Sequence, residues 1–209
     1  MQTKTCKVCF KEFYSSPFTE ERFVCDKCYR DMNPIFKKIK IDEVNGLAVY
    51  PYNDKLKDII YRYKACGDIE LKDVFFDKIA RIIKIIFHDY YVVTIPSNKN
   101  EDEIRGFNHV KEAFKIFGLE QIDLIRKKIN FKQSSLSLHE RNEAKDRFEL
   151  ANKIDLSGKK ILLCDDIITS GSSMSACIKL IKKLNPKKIK LLSISINCRK
   201  MTKKGERKK

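Results

Sequence analysis

Hydrophobic positions along the chain follow two patterns. A continuous apolar run at Ile161 to Cys164 is typical of a strand buried on both faces of a parallel sheet, and the β-branched and aromatic stretch from Tyr90 to Ile95 predicts a second strand. Apolar residues at helical spacing predict helices over Asp54 to Tyr63, Leu71 to His88 and Asn108 to Phe117. Strands that alternate with helices predict an α/β fold with a parallel sheet flanked by helices.

The same patterns place further elements and boundaries. They predict strands over Leu47 to Tyr52 and Lys190 to Ile196, and helices over Leu138 to Lys145 and from Ser172 or Ser173 to Asn185. We expect a small module over residues 1–33, a lysine-containing linker over 34–45 and the main domain over 46–198. The basic segment 199–209 lacks apolar anchors and is expected to be a disordered tail.

Two adjacent acids and a small polar loop follow the strand that begins at Ile161. Asp165 and Asp166 can accept hydrogen bonds from the two hydroxyls of a ribose. The loop offers backbone N–H groups at a helix start, and such groups suit a phosphate. It consists of Thr169, Ser170, Gly171, Ser172 and Ser173. Neighbouring residues of an extended strand face opposite ways, so we expect the chain to turn at the acids if both bind one sugar.

A simpler explanation exists for the same residues. An Asp pair can merely end a strand, and a serine can merely cap a helix. The segment of residues 165–173 matches neither the P-loop pattern nor the dinucleotide glycine fingerprint. A sugar phosphate is favoured because it needs both the carboxylates and the anion-binding loop, and they occur together at one strand end.

Four N-terminal cysteines form two pairs: Cys6 with Cys9, and Cys25 with Cys28. Two residues lie within each pair and fifteen lie between the pairs. This spacing is typical of a structural zinc site with four thiolates in a reducing compartment, although two disulfides are an alternative. Few large apolar side chains occur in this segment, so metal binding would supply stability that a small core cannot.

The remaining cysteines and the histidines show no ligand spacing. Cys164 and Cys177 fall on apolar positions and are predicted core residues. No role is assigned to Cys66 or Cys198. The histidines are interpreted as ordinary surface or loop residues: His88, His109 and His139.

Composition sets further bounds on function. No apolar run reaches the length of about 18 residues that suggests a membrane span, so we expect no membrane insertion. The polar N-terminus is unlike a signal peptide, which makes the cytoplasm the expected compartment.

The net charge of +16 favours a polyanionic partner such as nucleic acid. Most of this charge is lysine, and an AT-rich genome would give the same bias without selection for binding.

Three more motifs indicate a family when they are combined with the cysteines and the Asp-Asp loop. They are Tyr63-Lys64-Ala65-Cys66-Gly67-Asp68, Arg105-Gly106-Phe107-Asn108-His109, and Gln133 to Leu138 followed by Arg141-Asn142 and Arg147-Phe148. Their order over nearly the whole chain resembles the ComF/GntX family, in which a zinc module precedes a type I phosphoribosyltransferase-like domain. The chain has Ser97-Asn98 where the family usually has Val-Pro, and His109 where it has Gln.

The resemblance implies a ligand, 5-phosphoribosyl-1-pyrophosphate (PRPP), with Mg²⁺. It implies that Asp165 and Asp166 hold the ribose hydroxyls and that the loop of residues 169–173 wraps the 5-phosphate. Lys64 and Arg105 become candidates for the pyrophosphate or for phosphates of nucleic acid, and Arg105 joins the two acids as a catalytic candidate. The alternatives are a solvated charge for Lys64 and a turn-bracing donor for Arg105. Gln133 and Arg141 either pin the polar loop over the site or are structural.

Two functions follow from the resemblance. The first is an accessory factor in DNA uptake during natural transformation, which binds single-stranded DNA and PRPP and has other competence proteins as candidate partners. The second is an active phosphoribosyltransferase on a base or amine. A purely structural adaptor would explain the zinc module but would leave the Asp-Asp loop unexplained.

Overall fold

Strands and helices alternate in the computed structural model, which describes residues 2–15, 23–128, 147–152 and 154–197. The strands are β1 (Gln2–Thr5), β2 (Glu12–Ser15), β3 (Lys37–Ile41), β4 (Val44–Pro51), β5 (Tyr90–Thr94), β6 (Ile125–Lys127), β7 (Phe148–Leu150), β8 (Lys160–Ile168) and β9 (Lys188–Ile196). The helices are α1 (Asp26–Met32), α2 (Asp54–Lys64), α3 (Ala80–Ile86), α4 (Lys99–Arg105), α5 (His109–Phe114) and α6 (Ser172–Lys182). Short 3-10 helices span Ile69–Phe76 and Lys115–Phe117.

The central sheet has five strands in the order β3-β4-β9-β8-β5. All its neighbours are parallel except the β3–β4 pair. Buried side chains cover both faces, with α2 and α5 against one and α6 against the other. The predicted parallel α/β fold is confirmed, and the carboxyl ends of β5 and β8 lie side by side because Thr94 pairs with Cys164.

Two predicted segments differ from the structure. Within the predicted linker, residues 37–41 form the edge strand β3, where Ile39 is buried and the flanking lysines face outward, as is common at a sheet edge. The long helix expected over Leu71 to His88 is divided into a 3-10 helix and α3. Both Phe75 and Phe76 are fully buried, which a helix with one apolar stripe does not achieve.

The shorter helix α3 also leaves part of the predicted stripe exposed. Ile79 and Ile83 are buried, whereas Ile82 and Ile86 are more than half exposed. The other predicted strands and helices are found within a few residues of their expected bounds. Several predictions fall outside the described residues: the helix over Leu138 to Lys145, the roles of Gln133 and Arg141, Cys198, His139, and the tail from residue 199.

The N-terminal hairpin β1–β2 and helix α1 share a core with the sheet domain. Cys6, Val8, Val24, Cys28 and Met32 belong to the same buried cluster as side chains of β4 and α2. Hydrogen bonds add to this packing: Arg62 on α2 donates to the carbonyl oxygen of Val8 (2.9 Å), and the Asn53 side chain donates to that of Met32 (3.1 Å). The predicted module is therefore continuous in its packing with the sheet domain.

A helix that crosses a membrane must be both long and apolar. None of the described helices has both the length and the apolar character that spanning a bilayer requires.

Candidate functional site

Asp165 and Asp166 lie at the carboxyl end of β8 and line one cavity of about 350 Å³. The strand does not end before them, contrary to expectation, because Ile167 and Ile168 still pair with β9. Each acid has a carboxylate oxygen that accepts a hydrogen bond from the next backbone N–H, at 2.9 Å for Asp165 and 2.7 Å for Asp166. Adjacent residues of a continuing strand therefore serve the same cavity.

The cavity is closed by segments distant in the chain. Lys64 comes from the end of α2, His109 from the start of α5, and Ser173 from the first turn of α6. The segment after β5 contributes Pro96, Ser97 and Asn98, and Lys127 of β6 lies opposite.

Asp166 is braced by two of these side chains. Lys64 Nζ donates to its Oδ2 at 2.9 Å, and His109 Nε2 lies 3.0 Å from the same oxygen. Burial opposes ionisation of this carboxyl, but the hydrogen bond from His109 and the charge of Lys64 outweigh it and lower the pKa of Asp166 below its usual range. Asp166 is thus an ionised carboxylate at neutral pH.

Asp165 has the opposite electrostatic environment. Burial and the negative charge of Asp166 raise the pKa of Asp165 well above its ordinary value. A bound cation or a pair of hydroxyl donors would stabilise its ionised form. Adjacent acids with pKa values pushed apart are more common at functional sites than elsewhere.

Of the two predicted phosphate-binding residues, Lys64 lines the cavity and Arg105 does not. Lys64 pairs with Asp166, and its contact with a phosphate stays a prediction. Arg105 is 6% exposed and lies behind the cavity wall, where it donates to the carbonyl oxygen of Lys64 (2.5 Å) and to Asp102 (2.8 Å). Arg105 thus braces the end of α2 and helix α4, and its contact with a phosphate stays a prediction.

His109 was missed as a site residue and was interpreted as an ordinary surface or loop histidine. It is instead 3% exposed, lines the cavity and contacts Asp166. Its place at the end of the Arg105 to His109 motif, directly after the Asn108 cap of α5, was the signal in the sequence.

The loop of residues 169–173 forms a small cradle beside the acids. Gly171 has a φ of +72°, and a Cβ at this position would lie 3.1 Å from Ile41 of β3. The helical bonds of α6 begin with Ser175 N–H to Gly171 O, so the N–H groups of Ser173 and Met174 precede them and can serve an anion, while Ser172 N–H donates to Ser170 Oγ (3.4 Å). The hydroxyls of Ser170 and Ser172 lie 2.9 Å apart, and Ser173 lines both this cradle and the acid-lined cavity.

A larger basic cleft adjoins the acid-lined cavity. It has a volume of about 1060 Å³ and shares Pro96, Ser97, Asn98 and Lys127 with that cavity. Ser97 and Asn98 are held in place because Asn108 donates to Ser97 (2.9 Å) and Asn98 caps α4. The remaining basic residues of the cleft are Lys99, Lys111, Arg126 and Lys128, and its acids are Asp102, Asp123 and Glu149. Lys111 pairs with Asp123 and Arg126 with Glu149, so the cleft has a modest excess of positive charge.

The four N-terminal cysteines converge as their spacing predicts. The sulfur atoms of Cys6, Cys9, Cys25 and Cys28 all lie within 4.8 Å of one another. Tetrahedral zinc with Zn–S bonds of about 2.3 Å places its thiolates about 3.8 Å apart, and Cys9 Sγ to Cys25 Sγ is 3.9 Å. All four are free thiols, so the structure gives no support to two disulfides. The cluster could hold a metal ion.

Backbone N–H groups favour the thiolate of Cys6, whereas burial raises the pKa of Cys25 and of Cys28. Cys25 N–H donates to Cys6 Sγ, and Cys28 N–H donates to Cys25 Sγ. Burial alone would raise the pKa of Cys6, but the N–H groups of Cys25, Cys9 and Val8 outweigh it and lower that pKa to about 7. Cys164 and Cys177 are buried in the core as predicted, and Cys66 is exposed.

Comparison with known proteins is consistent with this geometry. Residues 70–209 match the family model of the phosphoribosyl transferase domain. Competence protein ComFC of Streptococcus pneumoniae is 32% identical over 151 residues, which cover 72% of this chain and 68% of that protein. ComFC of Bacillus subtilis is 29% identical over 129 residues, covering 61% of this chain and 53% of that protein.

Solved structures are more distant. A hypoxanthine-guanine phosphoribosyltransferase from Bacillus anthracis has a TM-score of 0.42 and 17% identity, and the match covers 63% of this chain and 72% of that one. The domain match includes the Asp-Asp loop, and the S. pneumoniae relative matches 72% of the chain. The chain therefore belongs to the ComF family of proteins with a phosphoribosyltransferase domain.

Proposed function

We propose that the protein binds PRPP in the cavity at the end of β8. Asp165 and Asp166 accept hydrogen bonds from the ribose hydroxyls, and the loop of residues 169–173 holds the 5-phosphate through backbone N–H groups and hydroxyls. One observation carries this proposal: Ser173 lines both the acid-lined cavity and the phosphate cradle. Groups for a pentose and for a phosphate thus share one continuous space.

Lys64 is the residue proposed to meet the pyrophosphate. Its side chain is 37% exposed and its Nζ is held only 2.9 Å from Asp166, so it can reach into the cavity. When ribose hydroxyls satisfy Asp166, Lys64 can turn to the phosphates. Arg105 supports this arrangement from behind, through the carbonyl oxygen of Lys64.

Mg²⁺ is proposed to accompany PRPP. Within the described ranges, the only cluster of three or more candidate side-chain ligands consists of the four cysteines. Mg²⁺ prefers oxygen ligands and is commonly bound by one or two carboxylates together with substrate phosphates. Asp165 and Asp166 are the carboxylates that fit, and the metal would offset phosphate charge. For the cysteine cluster we propose structural zinc.

PRPP binding can be tested by calorimetric titration of the whole protein with and without Mg²⁺. We expect saturable binding that is stronger with Mg²⁺, and ribose 5-phosphate should bind more weakly because it cannot contact Lys64 through a pyrophosphate. Titration heats indistinguishable from those of buffer, at any Mg²⁺ concentration, would refute the proposal.

We further propose that the protein is an accessory factor in DNA uptake and binds single-stranded DNA. Two features support this: the curated relatives are named competence proteins, and a basic cleft adjoins the PRPP cavity. On the cysteine module, Phe10 and Tyr14 are 68% and 73% exposed, and the Arg62 guanidinium lies 5.2 Å from the centre of the Phe10 ring. Exposed aromatics beside basic residues suit stacked bases and phosphates.

DNA binding should weaken with salt. We expect the log of the association constant for a single-stranded oligonucleotide to fall with log salt concentration at about −0.7 per phosphate contacted. Fluorescence anisotropy at several KCl concentrations measures this slope. A slope near zero, or no binding at low salt, would show that the basic surface is only a solvated face.

An active phosphoribosyltransferase is the second candidate. The observation that favours it is the cleft of about 1060 Å³ beside Ser97 and Lys127, which leaves room for an acceptor. In that reaction a nucleophile bonds to the anomeric carbon while the bond to pyrophosphate breaks. Pyrophosphate release measured with a panel of bases and amines distinguishes turnover from binding alone.

A further inference from the structure

The motif from Arg105 to His109 connects three separate parts of the proposed site. It lies between the segment after β5, the end of α2 and the end of β8. Asn108 reaches Ser97 (2.9 Å), Arg105 reaches the carbonyl oxygen of Lys64 (2.5 Å), and His109 reaches Asp166 (3.0 Å). The hydroxyl of Tyr63 also donates to the backbone oxygen of His109 (2.7 Å).

The contacts of the His109 ring determine which nitrogen carries the proton. Arg105 Nη1 lies 3.1 Å from His109 Nδ1, and a guanidinium can only donate. Nδ1 is therefore the acceptor, so the proton of the neutral ring resides on Nε2. Nε2–H points at Asp166 Oδ2, and Arg105 thus fixes His109 in the tautomer that donates to this carboxylate.

We propose that His109, oriented by Arg105, is a positioning residue that aims the Asp166 carboxylate at the ribose hydroxyls. This inference rests on the proposed PRPP site. His109 holds Oδ2 while the backbone N–H of Ile167 holds Oδ1, so both oxygens are fixed before a ligand arrives. A preorganised acceptor loses less conformational freedom on binding.

Two substitutions separate positioning from packing. His109→Gln keeps one hydrogen-bond donor and one acceptor, whereas His109→Leu fills a similar volume with a side chain that has neither. At pH 7.5 we expect PRPP affinity within about threefold of wild type for His109→Gln and at least about tenfold weaker for His109→Leu, because the carboxylate loses a charge-assisted hydrogen bond. Equal affinity of His109→Leu and wild type would overturn the inference.

A test without ligand keeps this inference separate from the proposed function. Nitrogen-15 NMR of the ring at pH 7.5 should show the Nε2–H tautomer in wild type and its loss in Arg105→Lys. An Nδ1–H tautomer in wild type would refute the inference even if PRPP binds. The converse outcome is that wild type shows the Nε2–H tautomer and yet fails to bind PRPP. That result would refute the PRPP site and leave the His109–Asp166 contact established.

Discussion

Replacing Asp165 and Asp166 together with alanine should remove measurable PRPP binding. Hydrogen bonds to charged groups contribute about 1.5–3 kcal/mol each, so loss of both acceptors weakens binding by about 100-fold or more. The acid-lined cavity contains no other described carboxylate except that of Glu101, which is anchored on α4. The remaining phosphate contacts should not compensate for the missing acceptors.

The single substitutions should have opposite effects on stability. The pKa of Asp165 is raised in the folded protein by burial and by the charge of Asp166, so its contribution to stability is lost as pH rises. Asp165→Asn should therefore raise the free energy of unfolding at neutral pH. The pKa of Asp166 is lowered by His109 and Lys64 against the effect of burial, so its stabilisation is present at neutral pH and is lost as pH falls.

Asp166→Asn should consequently destabilise the protein at pH 7, and the difference from wild type should shrink as pH falls below the ordinary aspartate pKa of about 3.9. Urea unfolding at pH 7 and at about pH 2 measures these changes, and calorimetry at pH 7 measures PRPP binding. Asp58→Asn, which removes an exposed acid of α2, is the matched control and should change neither quantity. Full PRPP affinity in the double alanine variant would disprove the ribose assignment.

The parts of the fold that were predicted correctly are those determined by local patterns. The apolar run at Ile161 and the helical spacing after Ser172 gave β8 and α6, and the paired cysteine spacing gave the thiolate cluster. Each of these signals is contained within a short stretch. Strands buried on both faces in turn required helices on both sides of the sheet.

The site network was not predictable because it depends on long-range contacts. Lys64 and His109 are 102 and 57 residues from Asp166, and no periodicity in the sequence connects them. Tertiary packing likewise determines the conformation of the segment around Phe75 and Phe76. Its sequence predicts an α-helix with one apolar stripe, but both side chains are buried and the segment forms a 3-10 helix. Edge strand β3 was taken for a linker because lysines outnumber its apolar residues.

Removal of zinc should destabilise the whole protein and not the cysteine module alone. Structural zinc contributes about 10–16 kcal/mol in finger peptides, while whole domains are stable by about 5–15 kcal/mol. The module is tied to the sheet domain by Arg62, which donates to Val8, and by Phe23 N–H, which donates to Asp77 (2.8 Å). Loss of the metal should therefore expose core that belongs to both parts.

One zinc per chain is the expected metal content, and Cys28→Ser should lower it together with the melting temperature. Cys28 is 3% exposed and in the shared core, whereas Cys66 is exposed and outside the cluster. Cys66→Ser is thus the matched control and should keep both the zinc and the melting temperature. If metal-free protein instead shows two transitions, with the sheet domain melting as in wild type, the module folds independently and the shared core does not couple the two.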